Sequence, residues 1–260
     1  RGQGLAGIVT SQNDRLYAFR GVGLADEVFT EGAQRQLPGD LGIGEVGNRF
    51  YDTDNRGPTQ PFTHKTRFGD LGLCANSGIP NSQELRERLL LQGIGFSSTS
   101  NTELLLNLIA QKKESTLVGA IKAVMQELVG GYAFILLCKD AIYATRDPWG
   151  IRPLHLGRSG KGIVIASETS MFTLIDAENI GEVGAGEIVI VDSAGINRTR
   201  GTLAVRDSRC SYEGLYAKYP NALYRGNSSA STLRHKLGER LADEHKVEGA
   251  HYVTSVSDAA

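Results

Sequence analysis

The order of strand-like and helix-like patterns along the chain constrains its fold more than any other feature. Apolar and alternating stretches at residues 5–10 and 15–20 predict a hairpin that turns at Asn13-Asp14. Three helical patterns follow within residues 81–128, and short β-branched strands then return at residues 132–138, 141–145, 162–166 and 187–191. A hairpin, adjacent helices and then more strands predict a layered α+β fold rather than a regular parallel βαβ fold.

Local signals place the ends of several elements. Asn81 with Glu84 predicts a capping box for the first helix, and Gly93 predicts its end. Ser100 with Glu103 predicts the same for the second helix, while the third runs over residues 116–128. We also predict a short helix over residues 169–175, a last helix carrying Leu233, Leu237 and Leu241, a final strand at residues 251–256, and a long polar loop over residues 44–61.

Composition excludes several classes of protein. The 260 residues are 40% hydrophobic and 22% charged, which is ordinary for a folded domain and excludes a disordered chain. The net charge of -1 argues against a dedicated binder of bare nucleic acid, and no apolar run is long enough to span a membrane. Cys74, Cys138 and Cys210 are far apart, and the five histidines include no pair at helical spacing, so we expect neither a disulfide framework nor a metal site.

One string and several shorter motifs carry a family resemblance. The string is RDPWGIRPL at residues 146–154, and the shorter motifs are Arg1-Gly2-Gln3, Gly44, Gln60-Pro61-Phe62, Asn101-Thr102-Glu103 and Ala166-Ser167-Glu168. Together they resemble the glutamine amidotransferase domain of amidophosphoribosyltransferases, collinearly from Arg1 to about Ala260, and most closely the plant, algal and cyanobacterial branch. The resemblance implies a four-layer αββα sandwich of the N-terminal-nucleophile hydrolase type over residues 1–209. Residues 210–260 then resemble a linker and the first elements of a phosphoribosyltransferase domain.

The resemblance also implies a glutamine site, and this chain departs from it at several positions. Gly47 stands where the family has the Arg that binds the glutamine carboxylate, and Glu45 replaces a His. Asn101 replaces the Asp that pairs with the glutamine ammonium group, which removes the charge. The oxyanion motif Asn-Gly persists only as Asn76-Ser77, with Ala75 in place of the preceding His. Arg49 is expected to substitute for the lost Arg only if its loop is rebuilt.

The family's nucleophile is an N-terminal Cys that opens a strand well before the Arg-Gly-Gln motif. This chain begins at that motif, so we expect no catalytic residue here. Cys74 and Cys138 are expected to be buried small apolar residues. Cys210 lies where iron–sulfur members have one cluster ligand, but a lone Cys cannot hold a cluster, and no cofactor is expected.

These departures give two hypotheses. The first is a catalytically inactive homologue with a vestigial glutamine site at Gly47, Asn76, Ser77 and Asn101, retained as a structural or interaction subunit of a larger assembly. Its partners would be proteins, with RNA only inside a ribonucleoprotein particle. Its location would be a plastid or mitochondrion, otherwise the cytoplasm. The second is a working amidophosphoribosyltransferase of purine biosynthesis, known here only as a fragment.

Overall fold

The computed structural model describes residues 4–47, 60–160, 162–206, 208–226, 228–252 and 254. The chain divides into two compact units. The first comprises Arg1–Leu154 and Glu182–Ser208, and the second His155–Gly181 and Arg209–Ala260. The domain boundary predicted between residues 209 and 210 remains a prediction; the assignment of residues 155–181 to the second unit was not indicated by the sequence.

The first unit contains two antiparallel sheets. A three-stranded sheet has the order β2-β1-β3, and a six-stranded sheet has the order β12-β11-β7-β6-β5-β4. Their strands are β1 (Leu5–Gln12), β2 (Arg15–Val22), β3 (Leu41–Gly47), β4 (Phe62–Thr66), β5 (Gly69–Gly78), β6 (Gly131–Leu137), β7 (Ile142–Arg146), β11 (Glu187–Asp192) and β12 (Gly195–Arg200). The β1–β2 turn has Asn13 and Asp14 at φ 51° and 61°, as a tight hairpin requires, so the predicted hairpin is confirmed.

The helices of the first unit are α1 (Ala25–Val28), α2 (Glu31–Gln34), α3 (Ser82–Leu91), α4 (Asn101–Gln111) and α5 (Leu117–Glu127). The last three are the three predicted helices, and Thr116 caps α5 by accepting a hydrogen bond from the Gly119 N–H. The segment predicted as a loop from residue 44 begins as strand, because β3 continues to Gly47 in register with β1. Residues 48–59 of that loop lie outside the described residues.

Both predicted capping boxes are wrong in detail. The Asn81 side chain does not cap α3. It accepts from the Val129 N–H at 3.1 Å and donates to the Glu127 carbonyl at 2.9 Å, which ties the start of α3 to the end of α5. Ser100 does cap α4, but Glu103 does not reach back to it. Its carboxylate accepts instead from the N–H and hydroxyl groups of Ser97 and Ser98.

Two apolar layers hold the first unit together. One face of the six-stranded sheet packs against α3, α4 and α5 through a large buried cluster that includes Leu73, Phe134 and Ile109. Its other face meets the three-stranded sheet through a smaller cluster of Val9, Ile43, Cys74 and Leu137. Strand β5 therefore lies between helices on one side and the second sheet on the other, which explains why its middle residues are buried.

The second unit is built on a third sheet with the order β10-β8-β9. Its elements are β8 (His155–Ser159), β9 (Gly162–Ala166), α6 (Ser170–Leu174), β10 (Glu178–Glu182, whose last residue belongs to the first unit), a π-helical turn (Glu213–Ala217), β13 (Leu223–Arg225), β14 (Ser228–Ser229) and α7 (Ala230–Glu244). The predicted helices near residue 170 and around Leu237 are thereby confirmed. Of the predicted final strand, His251, Tyr252 and Thr254 are not in a strand, and the other residues lie outside the described ones. No helix within the described ranges has the length and apolar character needed to cross a bilayer.

Candidate functional site

Asn76 and Ser77 lie near the end of β5, one of the inner strands of the six-stranded sheet. Asn76 is opposite Ala133 and Ser77 is opposite Tyr132 on β6, so their main chain is fixed by the ladder. Preceding residues of β5 are buried, but the strand emerges at its end: Asn76 is exposed and Ser77 is half-buried. The Asn76 amide is therefore free to meet a ligand, as the predicted oxyanion role requires.

Gln60 holds the residue just before Asn76. Its side-chain carbonyl accepts from the Ala75 N–H at 2.8 Å, and its amide donates to the Ala75 carbonyl at 3.3 Å. The main chain of Gln60 lies against Gly7 of β1, where a Cβ would be 1.9 Å from the Gln60 carbonyl oxygen. Sequence reasoning quoted Gln60 in a motif but gave it no role; the structure makes it a brace between β1 and the site end of β5.

Glu45 is the second feature that the sequence did not explain. It is half-buried on β3, on the same face as Ile43, and its carboxyl group lies beside the Ala75 N–H. Loss of solvent raises the pKa of Glu45 to about 8, although the Ala75 N–H opposes that shift. Because the carboxyl group is mostly neutral near pH 7, Glu45 brings little negative charge to this end of the sheets.

Gly47, the last residue of β3, follows Glu45 by two positions and is paired with Leu5 on β1. A Cβ at Gly47 would lie 3.5 Å from the Leu5 Cβ, which is ordinary contact, so the backbone leaves room for a side chain there. Strand β3 packs against β5, with the Cys74 thiol 3.8 Å from the Gly44 carbonyl oxygen, so the structure brings the strands that carry Gly47 and Asn76 together. Arg49, which the sequence suggests as a substitute cation if its loop is rebuilt, lies outside the described residues.

Asn101 is the first residue of α4 and is half-buried. Hydrogen bonds to the preceding residues fix its position. The Arg86 guanidinium donates to the carbonyls of Ser98 and Ser100, and the Glu103 carboxylate accepts from the N–H groups of Ser97 and Ser98. Helix α4 packs against β4 and β5. Asn101 therefore lies on an element that contacts the strand of Asn76, but no hydrogen bond between the two side chains is seen among the described residues.

Two of the three cysteines lack the properties of an activated nucleophile. Cys74 and Cys138 are buried, and loss of solvent raises the pKa of both thiols, which favours the unreactive protonated form. For Cys74, the nearby Glu45 carboxylate raises the pKa further. Cys210 is half-buried in the second unit. Within the described part of the chain, no three His, Cys, Asp or Glu side chains are placed to hold a metal ion.

The most distinctive string of the sequence proves to be structural. Asp147 is fully buried, and its carboxylate accepts hydrogen bonds from four backbone N–H groups, those of Tyr132, Trp149, Ile151 and Arg152. Arg146 is also buried and donates to the carbonyls of Gly150, Arg152 and Val183. The motif folds a tight loop after β7 and attaches it to β6, and it places the Arg152 guanidinium near the end of β5, where a Cβ on Gly78 would lie 3.9 Å from an Arg152 nitrogen.

Comparisons with known proteins agree with this architecture. Residues 48–174 match the model of a glutamine amidotransferase domain. Over 250 residues the chain is 38% identical to chloroplastic amidophosphoribosyltransferase 2 of Arabidopsis thaliana, covering 95% of this chain and 44% of the relative. It is 35% identical over 261 residues to amidophosphoribosyltransferase of Bacillus subtilis strain 168, covering 100% of this chain and 54% of the relative.

A solved structure extends the match to three dimensions. Glutamine phosphoribosylpyrophosphate amidotransferase from B. subtilis superposes with a TM-score of 0.88 at 34% identity, over 95% of this chain and 53% of that one. This match confirms the predicted α+β sandwich of the N-terminal-nucleophile hydrolase type. The chain spans about half the length of the relatives it matches. It is a homologue of the amidophosphoribosyltransferases over most of its length and carries their glutamine amidotransferase domain.

Proposed function

We propose that this domain does not hydrolyse glutamine and acts as a structural or interaction subunit of a larger protein assembly. The observation that carries the proposal is the loss of both charges expected to hold a free amino acid, at Gly47 and Asn101. A glutamine molecule presents a carboxylate and an ammonium group, and each needs an opposite charge or equivalent hydrogen bonds when it leaves water. Gly47 has no side chain, and Asn101 is neutral.

Glu45, Asn76 and Ser77 do not replace those charges. Glu45 is close to the end of the site strand, but its raised pKa leaves it largely neutral, and in its ionised form it would repel the carboxylate of glutamine. Asn76 keeps an amide donor for an oxyanion, while Ser77 stands where the family has Gly. By analogy with other deletions of site groups, each of the three replacements would lower activity by about 10- to 1000-fold.

The scaffold around the site is intact, which supports a retained role for the fold. Gln60 still braces Ala75, and Glu103 still organises the start of α4. Asp147 still satisfies four buried N–H groups. Loss of the clamp charges without loss of the networks around them is the pattern of a fold kept for a purpose other than its reaction.

Restoring the clamp tests the first half of the proposal. In the full-length protein, we expect no glutamine binding by calorimetry up to about 10 mM, which corresponds to less than about 3 kcal/mol of binding free energy. The variant Gly47→Arg/Ser77→Gly/Asn101→Asp is expected to gain measurable affinity. Gly32→Arg is the matched control, since it adds the same cation at an exposed position of α2 with open space around it. Glutamine turnover by the unmodified protein that a thiol alkylator abolishes would overturn the proposal.

The interaction role is supported by apolar surface in the second unit. Large side chains there are substantially exposed, namely Tyr212, Leu215, Tyr216, Tyr219, Leu237 and Leu241. The rings of Tyr212 and Tyr216 are in contact, with 5.2 Å between their centroids, and grouped exposed apolar side chains are typical of surfaces that meet another protein. We propose protein partners, with RNA only within a ribonucleoprotein particle. Native fractionation tests this: the protein should elute in a large complex, and a stable free monomer in extract would contradict it.

The proposed location is an organelle, and specifically a plastid. The support is that the Arabidopsis thaliana and Vigna aconitifolia relatives are named as chloroplastic enzymes. Fractionation of source cells with an antibody to the protein tests the location; recovery only in the cytosolic fraction would contradict it.

A second candidate function is a working amidophosphoribosyltransferase. The relatives that match nearly the whole chain bear that name, and Asn76 is retained at the oxyanion position. This function would transfer ammonia from glutamine to phosphoribosyl pyrophosphate. The same glutaminase assay separates the two candidates, because only the second predicts ammonia release that depends on a thiol.

A further inference from the structure

The second unit contains a concentration of buried polar side chains outside the candidate site. Glu168, Thr169 and Ser170 follow β9 in sequence, and each is more than nine-tenths buried. Buried carboxylates and hydroxyls require hydrogen-bond partners, because an unpaired group loses its contacts with water without replacement. We call Glu168 and Thr169 the corner, and their hydrogen-bond partners show which segment of the chain they hold.

Both side chains accept hydrogen bonds from the main chain of one distant turn. The Tyr219 N–H donates to a Glu168 carboxylate oxygen at 3.0 Å, and the Leu223 N–H donates to the Thr169 hydroxyl oxygen at 2.8 Å. The Ser170 hydroxyl donates to the same Glu168 oxygen at 3.2 Å and so orients it. Two side-chain acceptors thus replace the strand or helix partners that these buried N–H groups would otherwise need.

The turn at residues 219–223 is connected to α7 by main-chain hydrogen bonds. The Ala222 N–H donates to the Tyr219 carbonyl, the Ala230 N–H to the Ala222 carbonyl, and the Ser231 N–H to the Pro220 carbonyl. Ala222 and Ala230 are fully buried, whereas every residue of α7 from His235 onwards is exposed. The first turn of α7 is therefore positioned by the turn at residues 219–223, and that turn by the corner.

Further contacts hold the segment and the start of α7. The Arg209 guanidinium donates to the Tyr224 carbonyl at 2.8 Å, and the Tyr224 hydroxyl donates to the Cys210 carbonyl at 3.2 Å. The Arg234 guanidinium donates to the carbonyls of Leu215, Tyr216 and Lys218, at the end of the π-helical turn. Charge-assisted bonds of this kind are stronger than neutral ones. Arg234 attaches α7 to the end of the π-helical turn. The bonds to the N–H groups of Tyr219 and Leu223 are made by Glu168 and Thr169 instead.

We propose that the corner formed by Glu168 and Thr169 is a latch for residues 219–226 and 228–231, which open and close as one unit while the sheets stay folded. Glu168 accepts the Tyr219 N–H and Thr169 accepts the Leu223 N–H. Because both N–H groups belong to one turn, they lose their acceptors together when the turn opens. Local opening of such a unit is expected wherever a few specific bonds, rather than a large apolar interface, hold a segment down. The inference does not depend on whether the candidate site binds glutamine.

Hydrogen exchange of individual amides tests the latch. In Thr169→Val, which keeps the shape but removes the acceptor, we expect exchange at Leu223 and Tyr219 to accelerate by about 10- to 100-fold. Thr169→Ser keeps a hydroxyl and should stay within about threefold of the unmodified protein. Thr173→Val is the matched control, because Thr173 is exposed on α6. The amide of Phe134 in β6 reports global unfolding and should not change.

Two results would overturn the proposal: unchanged exchange at Leu223 in Thr169→Val, or acceleration that is equal at Leu223 and Phe134. Should Thr169→Val fail to fold, Glu168→Gln decides the matter. The removal of its charge should accelerate exchange at Tyr219 and leave Phe134 unchanged, and equal protection at Tyr219 in both proteins would refute the latch.

Discussion

Replacement of Asp147 by Asn is the sharpest test of how this fold is held together. Each oxygen of the buried Asp147 carboxylate accepts two backbone N–H groups, at distances of 3.0–3.2 Å. One oxygen serves Trp149 and Ile151, and the other serves Tyr132 and Arg152. Asn keeps one oxygen and turns a donor toward the other pair, so two buried N–H groups lose their acceptor.

The magnitude follows from those two groups. A buried donor left without a partner costs about 1–3 kcal/mol, so Asp147→Asn should lower the free energy of unfolding by about 2–6 kcal/mol. That is a large part of the roughly 5–15 kcal/mol by which most domains are stable. With a urea m-value of about 3 kcal/mol/M, the midpoint should fall by about 0.7–2 M.

Urea unfolding followed by far-UV circular dichroism measures the midpoint. Fluorescence is a poor probe, because the one tryptophan, Trp149, is itself bonded to Asp147. Asp192→Asn is the matched control: Asp192 accepts a single N–H, that of Ala194, at the exposed β11–β12 turn, and Asn can make the same bond. A midpoint shift below about 0.5 M in Asp147→Asn, or an equal shift in the control, would refute the reasoning.

Two other predictions concern ionisable groups near the candidate site. Since the pKa of Glu45 is raised to about 8 from an ordinary value of 4.5, the unfolded chain loses this proton first, and the free energy of unfolding should fall as pH rises from about 4.5 to 8. Glu45→Gln should flatten that slope in urea titrations at several pH values, and an unchanged slope would contradict the assignment. Of the three thiols, Cys210 should react with a thiol reagent first in the native protein, because Cys74 and Cys138 are buried with raised pKa values; rapid labelling of all three would contradict it.

Sequence patterns predicted the elements whose conformation is determined by residues close together in the sequence. The β1–β2 hairpin follows from Asn13-Asp14, and α5 follows from its Thr116 cap and its apolar spacing, because both signals act within a few residues. Strand β5 was not predicted. Its sequence, GDLGLCANSG, contains three Gly, an Asn and a Ser, which are poor strand formers, and pairing with β4 and β6 determines its conformation.

The same distinction applies to the candidate site. Gly47, Asn76, Ser77 and Asn101 were selected through a family resemblance, not through periodicity or spacing. The brace from Gln60 to Ala75 joins residues 15 apart, and the burial of Glu45 depends on the packing of two sheets. Neither is encoded in a local pattern, which is why both required the structure.

The geometry also indicates that the proposed clamp positions tolerate substitution without loss of the fold. Gly47 and Asn101 are only half-buried, and the main chain around them is fixed by other groups: the β1 ladder for Gly47, and Arg86 with Glu103 for Asn101. A charge that binds only a ligand contributes little to folding when the ligand is absent, so its removal leaves no buried partner unpaired. Asp147 is the opposite case, since its four N–H partners belong to the folded chain itself. Substitutions at the proposed clamp positions should therefore alter ligand binding before they alter stability, whereas a change at Asp147 should act on stability first.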